Sequence, residues 1–408
     1  PAFVVEGAEK VTQREGELRY RVIRLHAQGG LGEVFVAKDQ ELNREVALKE
    51  IQERFADHDE SRARFKLEAE ITGNLEHPGI VPVYGLGQYA DGRPYYAMRF
   101  IRGDSLKDAI DSFHARYRGR LIDGEAGLEL RKLLRRFVDV CNAMEYAHSR
   151  GVLHRDLKPG NIILGKYGET LVVDWGLAKA QSQSEAYDAS VGPFVPSSSS
   201  GATPTLVGSA VGTPAYMSPE QAAGKVRELG PATDVYSLGA TLFHLLTGQL
   251  PIAGKTRLEI VKKAEMGEIR RPREVCADVP KSLEAVCLKA MAKEPGKRLG
   301  SPKAMADDIE HWLADESVSC LADPFSVRVR RWMKRHRTLV GSSAAAVAVL
   351  ITSLIVLLAL VASHNQTLDA KNRQLDQANT SLQIANASER AAKEYADQIR
   401  GDAETARD

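Results

Sequence analysis

The chain has 408 residues, 43% hydrophobic and 27% charged, with 55 Lys and Arg against 54 Asp and Glu and a formal net charge of +1. That composition excludes a disordered polymer, and the length allows two to four domains of roughly 100–200 residues, enough for a sizeable core. The balance excludes a surface coated throughout with bases for nucleic acid, and the scattered Cys141, Cys276, Cys287 and Cys320 form no CxxC pair, so neither structural zinc nor a disulfide framework is expected.

The first residue is Pro1 and no apolar leader follows, so no signal peptide is expected and residues 1–19 read as an N-terminal extension of a fragment. Strands are predicted near Tyr20–Ala27, Val34–Asp39 and Glu45–Ile51, and a charged helix from Glu60 to Leu75. Helical periodicity follows, with Leu130, Leu133, Leu134, Phe137, Val138, Cys141 and Met144 on one face. From Gln181 to Thr205 the chain turns rich in Ser, Gly and Pro, which reads as a loop inside a domain.

Leu339–Ala362 carries no charged residue. As a helix rising 1.5 Å per residue it spans about 36 Å, enough to cross a hydrocarbon core of about 30 Å. Arg328, Arg330, Arg331, Lys334, Arg335 and Arg337 precede it, and only Lys371 and Arg373 follow closely. The positive-inside rule therefore predicts a cytoplasmic N-terminal side, with the bases against lipid headgroups and Trp332 at headgroup level. Beyond it, Leu368, Leu375 and Leu382 recur every seventh position until Glu389 interrupts them, which fits either a weak dimer seam or a solvated stalk. The net charge resolves into −3 over residues 1–327, +6 over 328–337 and −2 over 363–408.

The most specific stretch is His154-Arg155-Asp156-Leu157-Lys158-Pro159-Gly160-Asn161. On it the chain resembles the bacterial eukaryotic-like (Hanks-type) receptor Ser/Thr protein kinases, whose catalytic loop reads H-R-D-x-K-P-x-N, and the resemblance runs in order over about Tyr20–Leu313. It implies an α+β, bilobal protein-kinase fold, with a β-rich N-lobe over 20–98 and a helical C-lobe over 103–313. A basic juxtamembrane segment over 314–338, one transmembrane helix over 339–362 and an extracytoplasmic helix over 363–408 complete the expected layout. ATP is the implied cosubstrate, with Mg2+ or alternatively Mn2+. Protein substrates and membrane lipid are the implied partners, with a homodimer as one reading of the leucine repeat and no nucleic acid. The implied location is the inner membrane, single-pass.

Phosphoryl transfer is mostly positioning and charge stabilisation, so it needs an anion cradle, a divalent cation and a carboxylate beside the attacking hydroxyl. By the resemblance, Asp156 accepts the acceptor's proton, Lys158 neutralises the moving phosphoryl group, and Asn161 and Asp174 hold magnesium as hard oxygen ligands. Asp174-Trp175-Gly176 stands where the family has D-F-G, and Trp175 is expected to alter packing under the Glu68 helix without loss of metal binding. Ala27-Gln28-Gly29-Gly30-Leu31-Gly32-Glu33-Val34 resembles the phosphate-covering loop G-x-G-x-x-G-x-V, with Ala27 in place of the first Gly. Lys49 in Val46-Ala47-Leu48-Lys49 is the implied phosphate lysine and Glu68 its ion-pair partner, while Glu70 is expected in solvent and His77 in a structural role.

For adenine, the resemblance implies Met98 as gatekeeper, backbone contacts from Arg99 and Ile101, and Val34, Ala47 and Ile163 on the ring faces. Thr213 is expected to complete the acceptor site, Glu220 to pair with Arg298, and Asp234 to support the backbone of the catalytic loop. Thr203, Thr205 and Ser209 lie between Asp174 and Glu220 and are candidate autophosphorylation sites that Arg155 could clamp. Ala27 and Trp175 keep open a nucleotide-binding pseudokinase scaffold at the membrane. Against it, Lys49, Glu68, Asp156, Asn161 and Asp174 all keep the required chemistry. A purely structural transmembrane stalk accounts only for the C-terminal end.

Overall fold

The computed structural model describes residues 19–29, 31–176, 179–180, 214–322, 327, 329, 332–333 and 335–405. The chain divides into two units, Pro1–Asp323 and Pro324–Asp408. In the first, strands β1 (Tyr20–Gln28), β2 (Gly32–Asp39) and β3 (Arg44–Ile51) form an antiparallel meander, followed by the short helix α1 (Glu53–Ala56) and by α2 (Asp59–Gly73). Strands β4 (Val83–Gln88) and β5 (Pro94–Arg99) complete a five-stranded sheet ordered β1-β2-β3-β5-β4.

Side chains alternate across a strand, and this decides what each face of β3 does. Val46 and Leu48 turn to one side and pack with Tyr20, Ala37 and Ala97. Ala47, Lys49 and Ile51 turn to the other, where Ile51 packs with Tyr96 of β5 and with Phe65 and Ala69 of α2. The buried residues of α2, Phe65, Glu68, Ala69, Ile71 and Thr72, follow the three-and-four spacing of one helical face. A charged residue, Glu68, is thus carried inward with the apolar stripe and meets the Lys49 side of the sheet. Glu70 is partly buried rather than free in solvent.

The rest of the first unit is mainly helical. Strand β6 (Gly103–Ser105) leads into α3 (Leu106–Tyr117), which starts with a Ser105–Asp108 capping box, and α4 (Gly124–Ser149) follows. Strands β7 (Val152–Leu153), β8 (Ile162–Gly165), β9 (Thr170–Val172) and β10 (Lys179–Ala180) form small sheets, β6-β8-β9 and β10-β7. Then come α5 (Pro219–Ala222), α6 (Pro231–Thr247), α7 (Arg257–Met266), α8 (Pro272–Val275), α9 (Lys281–Ala290) and α10 (Pro302–Leu313). Helix α6 is buried on every side from Thr233 to Thr247 and forms the axis of the main core with Leu130, Leu134, Phe137, Cys141 and Met144 of α4. A Cβ on Gly239 would lie 2.7 Å from Met291 Cγ, so glycine is what lets α6 approach the end of α9. The architecture is α+β, a sheet lobe followed by a helical lobe, as the motifs implied.

In the second unit, helix α11 runs from Arg337 to Thr405. It is the one helix among the described residues that is long and apolar enough to cross a membrane. Its leucines, isoleucines and valines between Val347 and Val361 stand exposed, which in water would leave a large apolar surface uncovered.

Candidate active site

Three side chains from both lobes meet around Lys49. Its Nζ bonds Glu68 Oε1 from α2 and lies 3.3 Å from Asp174 Oδ1, which follows β9. Tyr96, directly opposite Lys49 in the β3–β5 register, donates its hydroxyl to the same Glu68 oxygen at 2.8 Å. Burial opposes the charge on Lys49, but Tyr96, Glu68 and Asp174 around it raise its pKa well above the ordinary lysine value. Burial likewise pushes the Asp174 carboxyl up, yet Lys49, His154 and Lys158 outweigh that and hold it below the usual range, so it is ionised at neutral pH. Tyr96 was not singled out from the sequence. Tyr95 and Tyr96 are adjacent, and only the strand register shows which of the two faces Glu68.

Gly32, at the start of β2, lies against Lys49. Gly29 N–H donates to Gly32 O at 2.8 Å, and Gln52 Nε2 donates to Gly29 O at 2.6 Å. A Cβ at Gly32 would meet Glu50 O at 2.9 Å and Lys49 Cε at 3.1 Å, so a side chain there would press on the lysine. Ala27 continues β1 opposite Val34. Gly30 lies outside the described residues. Of the residues assigned to adenine, Ala47 is buried, and Val34, Met98, Ile101 and Ile163 are partly buried. The Arg99 N–H donates to Pro82 O at 3.0 Å, and its guanidinium reaches Glu169 at 2.8 Å.

The loop from His154 to Asn161 is fixed mainly through its backbone. Asp234, fully buried near the start of α6, accepts the N–H groups of His154 (2.9 Å) and Arg155 (2.8 Å) and a 2.8 Å bond from His148 Nε2. The Arg155 carbonyl accepts from Gln221 Nε2 at 2.7 Å. These bonds hold Arg155 at φ 67°, a left-handed conformation that costs a non-glycine residue about 1–3 kcal/mol. Asp174 is held similarly, at φ 64°. Lys158 Nζ is 2.6 Å from Asp156 Oδ2, and Asn161 Nδ2 donates to the Asp156 carbonyl at 2.9 Å. The Val173 N–H donates to Asn161 O at 2.9 Å, which ties the Asn161 turn to the segment carrying Asp174.

That segment fits a hard divalent cation. Asp174 offers an ionised carboxylate, and the Asn161 amide is oriented by its own N–H donation, so its carbonyl oxygen is available as a neutral donor. Trp175 is 1% exposed, its ring lies tilted 4.7 Å from the His154 ring, and it shares the main core with Ile71 and Leu75.

Farther out, Ser218 caps α5, and Glu220 makes a bidentate pair with Arg298 at 2.7 Å for both bonds. Thr233 donates to Glu220 at 2.9 Å, and Arg298 also reaches the carbonyls of Ala232, Ala292 and Lys293. His77 accepts the Gly79 N–H at 3.0 Å and stacks on Tyr146. Thr213 and the candidate phosphosites Thr203, Thr205 and Ser209 lie outside the described residues.

Asp234 and Glu220 also set the acid stability of the fold. Burial alone would raise both carboxyls, but His148 with the loop N–H groups lowers Asp234, and Arg298 lowers Glu220. Each therefore binds protons more weakly folded than unfolded, and its stabilisation is complete above the unfolded values of 3.8 and 4.5 and lost as the pH falls through the folded ones. Burial also holds His26, His77, His114 and His244 below the ordinary histidine value of 6.5, so thermal unfolding followed from pH 7 to 3 should show a midpoint that begins to fall below about pH 6.5 and falls more steeply below about pH 4.5, where Asp234 and Glu220 add to it. In Asp234→Asn that fall should be shallower. An unchanged acid limb would show that Asp234 is not held ionised.

A protein kinase domain model matches residues 20–309. The chain is 37% identical over 330 residues to serine/threonine-protein kinase PknD of Protochlamydia amoebophila, covering 80% of this chain and 33% of the relative. PknD of Chlamydia muridarum is 35% identical over 337 residues (79% and 35%), and PknD of Chlamydia felis 37% over 298 residues (72% and 31%). The chain spans about a third of the length of these relatives. With the lysine–glutamate pair, the H-R-D loop and the buried Glu220–Arg298 pair all in one bilobal unit, the chain belongs to the protein kinase domain family.

Proposed function

We propose that this chain is a membrane-anchored Ser/Thr protein kinase that moves the γ-phosphate of ATP to protein hydroxyls. The observation that carries the reading is the bridge made by Lys49, which joins Glu68 of the sheet lobe to Asp174 of the helical lobe and so brings both halves of a phosphoryl-transfer site together. The relatives' printed names support the Ser/Thr class. Lys158, two residues after Asp156, agrees with it.

In this mechanism Lys49, oriented by Glu68 and Tyr96, holds the ATP phosphates, and the β1–β2 loop covers them with backbone N–H groups. Asp156 takes the proton of the attacking serine or threonine hydroxyl as its oxygen bonds the γ-phosphorus and the bond to the β-phosphate oxygen breaks, leaving ADP. Lys158 balances charge on the group in transit. Asp174 and Asn161 would hold magnesium, whose chemistry is to neutralise phosphate charge. In this reading the kinase domain lies on the cytoplasmic face of the inner membrane with the C-terminal helix outside, which the basic belt before Leu339–Ala362 supports through the positive-inside rule. Autophosphorylation at Thr203, Thr205 or Ser209 would give Arg155 a phosphate partner. Its buried Nε has no hydrogen-bond partner among the described residues.

Incubation of the chain with γ-labelled ATP, magnesium and a protein acceptor, followed by phosphoamino-acid analysis, tests the reading. It predicts phosphoserine and phosphothreonine, and label confined to phosphotyrosine would overturn it. Mass spectrometry should place phosphate between residues 181 and 213, and its absence there would remove the autophosphorylation step.

Tyr96→Phe keeps the ring against Phe65 and removes only the bond to Glu68. It should lower kcat/KM for ATP about fivefold, the equivalent of about 1 kcal/mol for one buried hydrogen bond. Steady-state kinetics with ATP varied read this out. Unchanged kinetics would show that Glu68 is positioned without the hydroxyl.

A further inference from the structure

Past its apolar run, α11 carries a seven-residue repeat that phosphate transfer does not use. Asn365, Asn372, Asn379 and Asn386 recur at one position of the repeat, and Leu368, Leu375 and Leu382 each follow an Asn by three residues. Residues three and four apart share a helix face, so both sets form a single stripe. Its leucines are 43%, 61% and 64% exposed, so the stripe is uncovered in the single chain. In heptad terms the asparagines hold position a and the leucines position d. A straight helix drifts about 20° per heptad against such a repeat, which a left-handed supercoil corrects. The seam ends where Glu389 takes the next d position and pairs along its own helix with Lys393 at 3.1 Å.

We propose that this stripe binds the same stripe of a second copy of this chain, as a parallel, in-register, two-stranded coiled coil. The asparagines select that occupant. In a parallel pair each a residue faces its own copy, so four amides meet four amides. In an antiparallel pair a faces d, and every buried Asn would lie against Leu with its amide unsatisfied. The charges agree: Lys371 at g reaches position e of the next heptad on a parallel partner, which is Asp376. An antiparallel pair would instead set e against e, bringing the acids Asp369 and Asp376 together.

The apolar run supplies the rest. It continues directly into the repeat in the same helix, so copies inserted in one direction present their seams side by side and in parallel. Buried asparagines weaken a coiled coil while fixing its register. The seam is therefore built to close at the high effective concentration of a membrane rather than in dilute solution. This inference rests on the membrane-spanning reading of Leu339–Ala362 and is independent of kinase activity, because its test reads cross-linking alone.

The test uses membranes of cells expressing the 408-residue chain with Cys276 and Cys320 changed to serine. Single cysteines are placed by Asn372→Cys at a, Leu375→Cys at d and Gln377→Cys at the outward position f, then oxidised with copper phenanthroline. The first two should give a disulfide-linked species of twice the chain mass, at a yield about fivefold above the third. Lys371→Glu in the Leu375→Cys chain should lower that yield about twofold, and adding Asp376→Lys should restore it. Equal yields at all three positions, no linked species, or no restoration would overturn the proposal. So would a linked species of another mass, which would assign the seam to a different protein.

Discussion

Asp156→Asn is expected to lower the rate of phosphate transfer about 10²- to 10⁴-fold, the range associated with a positioned general base, while nucleotide affinity changes by less than about threefold. The two effects separate because Asp156 does two things with different atoms. Its carboxylate sits 2.6 Å from Lys158 Nζ, whereas its main-chain carbonyl accepts the Asn161 amide at 2.9 Å. Asparagine keeps the second contact and the side-chain shape but cannot take a proton. Single-turnover transfer measured beside calorimetric nucleotide binding distinguishes the effects. A parallel loss of binding would mean that the carboxylate holds the loop together rather than serving the reaction.

The largest effect on stability should come from Glu220→Ala. The Arg298 side chain is 0% exposed and Glu220 4%, so removing the carboxylate strands a buried guanidinium. Breaking such a pair costs about 3–5 kcal/mol, which for a domain of this size lowers the unfolding midpoint by about 10 °C. Glu220→Met combined with Arg298→Met should cost less than the sum of the single changes, because neither charge is then left unpaired. Differential scanning calorimetry of the unaltered chain, Glu220→Met, Arg298→Met and the double variant gives the cycle. A single-mutant shift under about 2 °C would show that water reaches the pair and screens it.

The bilobal fold and the candidate site residues were legible because the motifs on which the chain resembles the kinases fix residue type at set spacing. A lysine on β3, carboxylates at 156 and 174 and a glycine beside Lys49 can be found without coordinates. What the sequence left dark depends on tertiary register. Tyr96 reaches Glu68 only because β5 lies opposite β3 with Tyr96 across from Lys49. Gln221 matters only because the cap of α5 brings its amide to the Arg155 carbonyl, and His148 because the end of α4 meets the start of α6 over Asp234. Trp175 could be read as a large apolar group, but its tilted ring contact with His154 could not. Glu70 was misplaced for a related reason: helix periodicity shows which face a residue shares, not how far a neighbouring element extends over it.

The most direct test of the account is magnesium-dependent transfer of γ-labelled phosphate by the intact chain beside Asp156→Asn and Lys49→Met. The intact chain should become labelled, and should label a protein acceptor, while both variants stay at background. Equal labelling in all three, or none in any, would contradict the assignment of phosphate transfer to this site.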